Sequence, residues 1–369
     1  MSDGEFRDRA RGCLLGLAAG DALGRPAENL TPEEITRRWG RLTELEPGPD
    51  GGPAGTDDTE YAIFAATLLR AHGSALTTED VVAAYREHVL PIDGPMKGAG
   101  FSELGTAQAL RQGLLPPLTG RWHQHGWSDG LAMRAAPYGI FAAGDPAEAA
   151  RLVAVDGAVS HSGEGVHGGR AVAAAVAVAM TGAAPGEVVA GGLSAVPDDS
   201  WTARSVRAAV RIAADHDRHR LAADLHDAVV ARHYPWTDLA PEAVALAFAA
   251  YLAGGGDVEE SAVTAVSLGR DADTTAAIAG ALAGAGRGEG GVPERWARAI
   301  GPVRGACLPF VAGRDVREVA DALADARGAA ASRDARGDVA SPDAREAAVA
   351  SPETRQAADA SADADTRNG

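Results

Sequence analysis

The stretch GRDADTTAAIAGALAGAG, residues 269–286, combines two kinds of chemistry. Its first part is rich in carboxyl and hydroxyl groups. Asp271 and Asp273 lie two positions apart in it, so both cannot cap the same helical turn. Its second part consists of small residues, which let a helix approach its neighbours closely. The stretch therefore predicts a closely packed helix whose polar start has a purpose besides capping.

The rest of the chain favours helices as well. Hydrophobic residues make up 46% of the sequence but aromatic residues only 5%, so small aliphatic side chains must fill the core. This composition suits packed helices better than a β-sandwich, and no segment shows sustained period-two alternation. We therefore predict a compact all-α domain. Its predicted helices cover residues 10–24, 56–73, 78–89, 145–156, 167–181, 202–215, 219–232, 241–254, 257–268, 274–286 and 315–328.

Composition also predicts a folded domain followed by a disordered tail. Residues 1–328 form the expected catalytic domain, with loops at 47–55 and 91–105. Residues 329–369 contain Ala, Asp, Arg, Ser and Pro, with the near-repeats VASPDAREAA and VASPETRQAA, and no aromatic residue. Such a segment buries too little surface to offset chain entropy, so we expect a disordered tail. A marginal Ala-rich helix is the alternative.

The bulk charge and the cysteines limit the classes of partner. A formal net charge of −17 argues against sequence-independent binding to nucleic acid, although it leaves room for a nucleotide ligand. Cys13 and Cys307 are too few and too far apart for a disulfide framework or a zinc site, so we expect two buried thiols. The N-terminus lacks an apolar signal core and no apolar run is long enough to span a bilayer. We expect a cytoplasmic monomer that binds neither nucleic acid nor membrane.

A second acidic cluster, GTDDTE at residues 55–60, also precedes a predicted helix. A helix cap explains one of these residues, but it leaves the repulsion between Asp57 and Asp58 unexplained. If the two helix starts face each other, four carboxylates and two threonine hydroxyls converge. An all-oxygen ligand set of this kind suits Mg²⁺ or Mn²⁺, and it is large enough for two ions about 3.5–4 Å apart.

Five landmarks occur in a fixed order along residues 8–312, and together they resemble the ADP-ribosylglycohydrolase family. This family includes the dinitrogenase-reductase-activating glycohydrolases and the ADP-ribosyl-acceptor hydrolases. The landmarks are Gly16 to Gly24 (GLAAGDALG) with Glu28, Thr56 to Thr59 (TDDT), Asp129 to Pro137 (DGLAMRAAP), Ser160-His161, and Gly269 to Thr275 (GRDADTT).

The resemblance implies an orthogonally packed all-α fold and a binuclear Mg²⁺ or Mn²⁺ centre. Thr56, Asp57, Asp58 and Asp273 would bind one ion, and Asp271, Asp273 and Thr274 the other, with Asp273 bridging. The ions would grip the distal ribose and place water near its anomeric carbon. Glu28 and Asp273 would be catalytic, with Glu28 as general base or as an aid to the leaving group. The implied substrate-binding residues are Gly98, Gly100, Asp129, Gly130, Met133 and His161.

Several positions depart from the family pattern. Asp129 stands where many members have Asn, and its charge would oppose a diphosphate. Ser160-His161-Ser162-Gly163 replaces a Thr-His-x-His element, and residues 98–103 (GAGFSE) replace a phosphate-contacting Gly-x-Thr-Thr loop. Gly98 and Gly100 could still offer amide groups to a phosphate, whereas Glu103 is unexpected there. Arg270 replaces a glycine.

These departures leave the substrate open. The leading hypothesis is hydrolysis of an ADP-ribosyl N- or O-glycosidic bond on a protein or small molecule. Asp129 and Glu103 favour a second hypothesis, the same chemistry on a smaller nucleoside or nucleotide. A third is a non-catalytic module that binds ADP-ribose, which the complete ligand set argues against. Arg134 is expected to pair with a buried acid such as Asp21 or Asp129, and Trp122 and Trp127 either stack on a base or pack.

Overall fold

A computed structural model of the protein describes residues 1–48, 51–94, 96, 98–214 and 220–334, the last four as helical backbone only. These residues contain α-helices and no β-strand, so the predicted all-α class is confirmed. The helices are α1 (Asp3–Gly24), α2 (Pro32–Trp39), α3 (Asp57–His72), α4 (Thr78–Ala84), α5 (Phe101–Arg111), α6 (Leu118–Arg121), α7 (Gly130–Met133), α8 (Ala136–Phe141), α9 (Pro146–Ser160), α10 (Glu164–Ala179), α11 (Pro185–Ser194), α12 (Trp201–Ala214), α13 (Leu221–Val229), α14 (Ala240–Ala253), α15 (Val258–Ser267), α16 (Ala272–Arg287), α17 (Glu294–Ala299) and α18 (Val316–Asp334).

Helices α1 and α16 touch through their backbones. Glycines recur every fourth residue along α1 and so form one stripe on its surface. A β-carbon added to Gly16 would lie 2.3 Å from the carbonyl oxygen of Gly280, and one added to Gly20 would lie 2.1 Å from that of Ala276. Any larger side chain would separate the helices. The small residues of 269–286 therefore perform the close packing that the sequence predicts.

Small side chains also fill the surrounding core. Helix α10 contacts α7, α8, α9, α11, α14 and α16, and its run from Ala171 to Ala177 is fully or almost fully buried. Helix α14 packs against α12, α15 and α16. A thin, alanine-rich helix can be surrounded on all sides by other helices, which explains how a chain with so few aromatic residues builds a large core.

Several helix boundaries differ from the sequence prediction, among them the start of α5 and the end of α18. Helix α5 begins at Phe101, inside the predicted 91–105 loop, because the sequence from residue 101 forms helix well despite Gly105. A β-carbon at Gly105 would lie 2.6 Å from the ring of His123, so this glycine serves packing rather than a turn. Helix α18 continues through Gly328 to Asp334, six residues past the predicted end, because the alanines that follow the glycine favour helix.

The described part of the chain has one large compact unit, Met1–Arg327, close to the predicted domain of 1–328. The predicted tail lies, from residue 335 onward, outside the described residues. No helix in the described ranges is long and apolar enough to cross a membrane.

The contact between α1 and α16 can be tested with a matched pair of glycines on α16. Gly280→Ala would place a methyl group 2.2 Å from the Gly16 carbonyl oxygen, and we expect it to lower the free energy of unfolding by about 1–3 kcal/mol. Gly286→Ala meets nothing within 4 Å and should raise it by roughly 0.5–1 kcal/mol, as helical Gly→Ala changes do. Urea unfolding of both variants measures this, and equal effects would show that the helices do not depend on close contact.

Candidate functional site

The starts of α3 and α16 meet in space, although 216 residues separate them in sequence. The hydroxyl of Thr274 on α16 donates a hydrogen bond of 3.2 Å to Asp58 Oδ1 on α3. Thr56 caps α3 by accepting the Asp58 amide, and the Asp273 carboxylate accepts the Thr274 amide at 3.1 Å. The two acidic clusters therefore form one polar region.

Asp21 on α1 holds the start of α3 in this position. Its fully buried carboxylate accepts the amide of Thr56 at 2.8 and 2.9 Å and the amide of Thr59 at 3.1 Å. The Thr59 hydroxyl donates to it as well. At the end of the same helix, Gly24 lies against the backbone of Asp273. Helix α1 thus connects both acidic segments. It does so through Asp21 and Gly24, which belong to a family landmark and for which the sequence analysis predicted no such connecting role.

The carboxylates of the polar region repel one another in a poorly hydrated space. Asp58, Asp271 and Asp273 are at most 9% exposed. Burial raises the pKa of each well above its usual value, and the neighbouring acids raise it further. Glu28 is exposed on the rim of this region and adds to the repulsion at Asp271 and Asp273. Buried carboxylates that repel one another in this way favour either protonation or the binding of a cation.

The donor chemistry fits a divalent cation. Asp58 Oδ2 is buried and has no hydrogen-bond partner among the described residues, so one carboxylate oxygen in the centre of the region is free to bind an ion. Carboxylate and hydroxyl oxygens suit Mg²⁺ or Mn²⁺. As the side chains stand, no three His, Cys, Asp or Glu residues within the described ranges are grouped as a metal centre. The ligand set predicted from sequence, from Thr56 to Thr274, stays a prediction.

The glycines expected to face a phosphate lie in different surroundings. The Gly100 amide donates to Asp57 Oδ2 at 3.1 Å, so it is already engaged by a predicted metal ligand and is not free for a phosphate. A β-carbon at Gly100 would also lie 2.7 Å from Glu103 Oε2. Gly98 is exposed, with a positive φ of 77° and open space on its side-chain side, and its role remains a prediction.

Arg134 forms a buried ion-pair network different from the expected one. Its guanidinium donates to Glu103 at 2.6 Å and to Asp156 at 2.9 Å, and all three side chains are fully buried. It also donates to the Ser160 hydroxyl at 2.7 Å. The expected pairing with a buried acid is confirmed, but the named partners Asp21 and Asp129 are wrong, because Arg134 is directed between α5 and α9. The available sequence signal was Asp156, a lone acid in the otherwise apolar run of α9.

This network weakens the argument from Glu103 for a smaller substrate. Arg134 offsets part of its charge, but the single guanidinium is shared with Asp156. The charge of Glu103 still raises the pKa of Asp57 and of Asp129. Gly130 lies close above it, since a β-carbon there would be 2.8 Å from Glu103 Oε1. Met133, three residues further along α7, is buried with 4% exposure.

Asp129 remains an uncompensated acid. It is buried, and its Oδ2 has no hydrogen-bond partner within the described structure. Burial and then the nearby carboxylate of Asp238 raise the pKa of Asp129 well above its usual value. The backbone joins the two residues, because the Asp129 amide donates to the Asp238 carbonyl at 2.8 Å. Of the two residues that favoured a smaller substrate, Asp129 now supports that hypothesis more strongly, because Arg134 offsets part of the charge of Glu103.

His161 is buried and held from both sides. Its Nδ1 lies 2.8 Å from the Ser160 hydroxyl and its Nε2 lies 3.2 Å from the Ser128 hydroxyl. Burial and the charge of Arg134 lower its pKa well below the usual value, so the ring is neutral. The structure therefore gives His161 the surroundings of a positioning residue, and its predicted contact with substrate stays untested.

An aromatic group that the sequence analysis missed stands beside Asp129. The ring of Phe101 stacks on that of His125 with centroids 4.7 Å apart, and Trp236 meets His125 edge-on at 5.2 Å. The Nδ1 of His125 lies 3.4 Å from Asp238 Oδ2. Trp236 lies more than a hundred positions after Phe101 and His125 in the sequence, so no local motif signals the group.

The fold and the paired acidic helix starts define a protein of the ADP-ribosylglycohydrolase class. The family model described as ADP-ribosylglycohydrolase matches residues 2–333, and the chain belongs to this family. The predicted resemblance is confirmed. Membership implies glycohydrolase activity on ADP-ribosyl-type substrates.

Individual relatives agree with this assignment. The chain is 32% identical over 300 residues to an uncharacterized protein of Archaeoglobus fulgidus, covering 79% of this chain and 91% of the relative. It is 29% identical over 171 residues to the ADP-ribosyl-[dinitrogen reductase] glycohydrolase of Rhodospirillum rubrum, covering 44% and 54%. A solved structure described as an ADP-ribosylglycohydrolase-related protein complex superposes with a TM-score of 0.59 at 26% identity, covering 88% of this chain and 98% of that one.

The Arg134 network makes a specific stability prediction. Arg134→Met would leave Glu103 and Asp156 buried without their cation, and breaking such a network costs about 3–5 kcal/mol. Arg298→Met is the matched control, since its partner Glu294 and Arg298 itself are each 76% exposed and such pairs contribute roughly 0–1 kcal/mol. Chemical denaturation compares them, and a loss below about 1 kcal/mol for Arg134→Met would contradict the structural role of the network.

Proposed function

We propose that the protein hydrolyses an ADP-ribosyl N- or O-glycosidic bond with the help of two Mg²⁺ or Mn²⁺ ions. The observation that carries the proposal is the contact of the two acidic helix starts around Asp58, whose buried Oδ2 lacks a partner. Family membership adds the class of substrate. Thr56, Asp57, Asp58 and Asp273 would hold one ion, and Asp271, Asp273 and Thr274 the other.

The protein's own groups suit this chemistry. Breaking a ribosyl bond develops positive charge at the anomeric carbon, and nearby carboxylates stabilise that charge. The bound ions would neutralise the acidic cluster, hold the ribose hydroxyls and favour a water nucleophile at neutral pH. Glu28 has the exposure and the position to accept a proton from the attacking water. Water then supplies the hydroxyl group to the anomeric carbon, and the leaving group departs with a proton.

A second candidate is hydrolysis of a smaller N-glycoside, such as a nucleoside or nucleotide, at the same centre. Asp129 and Asp238 favour it, because a buried and a half-buried carboxylate next to each other oppose a diphosphate placed beside them. Glu103 adds less to this argument, since the guanidinium that it shares with Asp156 offsets part of its charge.

The metal centre predicts how the bound ions stabilise the protein. For the wild type, divalent ions at 100 times the dissociation constant should add about 2.7 kcal/mol of stability per site. Asp273→Ala removes the proposed bridging ligand and Asp58→Ala removes another, so both should lose bound metal and turnover. The loss should be more severe in Asp273→Ala. Melting curves with and without Mg²⁺ or Mn²⁺, together with calorimetric titration, measure these effects.

The matched control is Glu294→Ala, which removes an exposed acid that is ion-paired on the surface and should titrate like the wild type. The metal-free Asp273→Ala protein should be at least as stable as the metal-free wild type, because a repelling buried charge is gone. Unchanged metal stoichiometry in Asp273→Ala would refute the ligand assignment.

A substitution of Asp129 distinguishes between the two candidate substrates. Asp129→Asn keeps the size of the side chain and removes its charge, so ADP-ribose should bind more tightly while a neutral nucleoside binds about equally. Dissociation constants of both ligands are measured for both proteins at fixed metal and salt. If the wild type binds ADP-ribose tightly and Asp129→Asn weakens it, Asp129 is a favourable contact and the small-glycoside candidate loses its support.

A further inference from the structure

Large apolar side chains are exposed in one part of the described chain far more than elsewhere. Eight such residues are exposed within the described ranges, and six of them fall between residues 101 and 127. Monomeric proteins rarely place apolar groups together on the surface without a use for them. Five of the six form what we term the apolar rim, namely Phe101, Leu104, Leu115, Leu118 and Trp122, with exposures of 38–60%.

The apolar rim is built on one connected piece of structure. Phe101 and Leu104 lie one turn apart on α5, while Leu118 and Trp122 lie one turn apart at α6. The two helices are in contact, and Gly105, next to Leu104, packs against the ring of His123, next to Trp122. The rim is therefore one surface rather than scattered side chains.

The apolar rim adjoins the candidate site at both ends. Phe101 follows Gly100, whose amide binds Asp57, and its ring stacks on His125 beside Asp238. At the α6 end, a β-carbon on Gly120 would lie 2.3 Å from the carbonyl oxygen of His161. A molecule that enters the site with a bulky attachment would bring that attachment over this surface.

Charge distinguishes the rim from the rest of the protein. The whole chain carries a net charge of −17, yet residues 104–128 contain no acidic residue. The same segment contributes Arg111 and Arg121, both exposed. A surface of apolar groups bordered by arginines complements a protein segment with apolar side chains and acidic neighbours. A second copy of this acidic chain would be repelled over most of its surface, and a single nucleobase is too small to cover five side chains.

We propose that the apolar rim docks the protein that carries the scissile ADP-ribosyl group, through an apolar segment flanked by carboxylates. This inference rests on the proposed function and deepens it, because it makes a protein rather than a free metabolite the substrate. The rim contributes to binding the attached protein and leaves the chemistry at the ribose unchanged.

The test compares two substrates that have the same glycosidic linkage but differ in whether a protein is attached. ADP-ribose joined to free arginine or serine is compared with ADP-ribose joined to the same residue in a protein, using the linkage that the wild type cleaves. The double variant Leu115→Ser, Leu118→Ser should raise KM for the protein substrate by about 10- to 100-fold, as loss of two interface anchors does. Turnover of the free amino-acid conjugate should stay within about twofold.

Charge variants provide the matched control. Arg121→Glu should also raise KM for the protein substrate, and by a larger factor at low salt. Arg298→Glu changes an exposed arginine on α17 and should leave this KM unchanged. If the double variant lowers activity on both substrates equally, or on neither, the docking proposal is overturned and the proposed function stands. If light scattering shows a wild-type dimer that the double variant dissociates, the rim is an interface between copies and the proposal is wrong. If neither conjugate is cleaved, the proposed function itself fails, and the docking proposal with it.

Discussion

The close contact between α1 and α16 determines where everything else in the site can lie. Gly16 and Gly20 let the two backbones touch, with no room for a β-carbon between them. Because the helices are in register along this contact, Asp21 reaches the start of α3, and Gly24 lies against Asp273. Two acidic segments that no local interaction could join are thereby held as one region.

The molecule contains two groups of buried charge that are balanced in different ways. Arg134 is paired with Glu103 and Asp156, so that network is satisfied by the chain itself. The carboxylates around Asp58 and Asp273 instead raise each other's pKa. Buried like charges persist in a stable protein when something external offsets them, which is the physical argument for bound cations there and for a structural role at Arg134.

Family membership and substrate preference rest on different parts of the structure. The helical framework and the acidic helix starts match the family along almost the whole chain. The surroundings of Asp129 and the apolar rim are instead built from loops and short helices, and residues 98–103 and Asp129 among them depart from the family pattern. A shared reaction with a distinct choice of attached group is consistent with this division, since loops and short helices change more freely than a core of touching backbones.

The sequence by itself determined the all-α class, the close packing of residues 269–286 and the presence of two acidic helix starts, because helical periodicity and small-residue spacing are local properties. It also pointed to the family. Only the tertiary structure decided that Arg134 pairs with Glu103 and Asp156, that the Gly100 amide is engaged by Asp57, and that Phe101, His125 and Trp236 gather beside Asp129. These are contacts between distant segments, and their partners depend on how helices are oriented around α1 and α16, which no short stretch of sequence encodes.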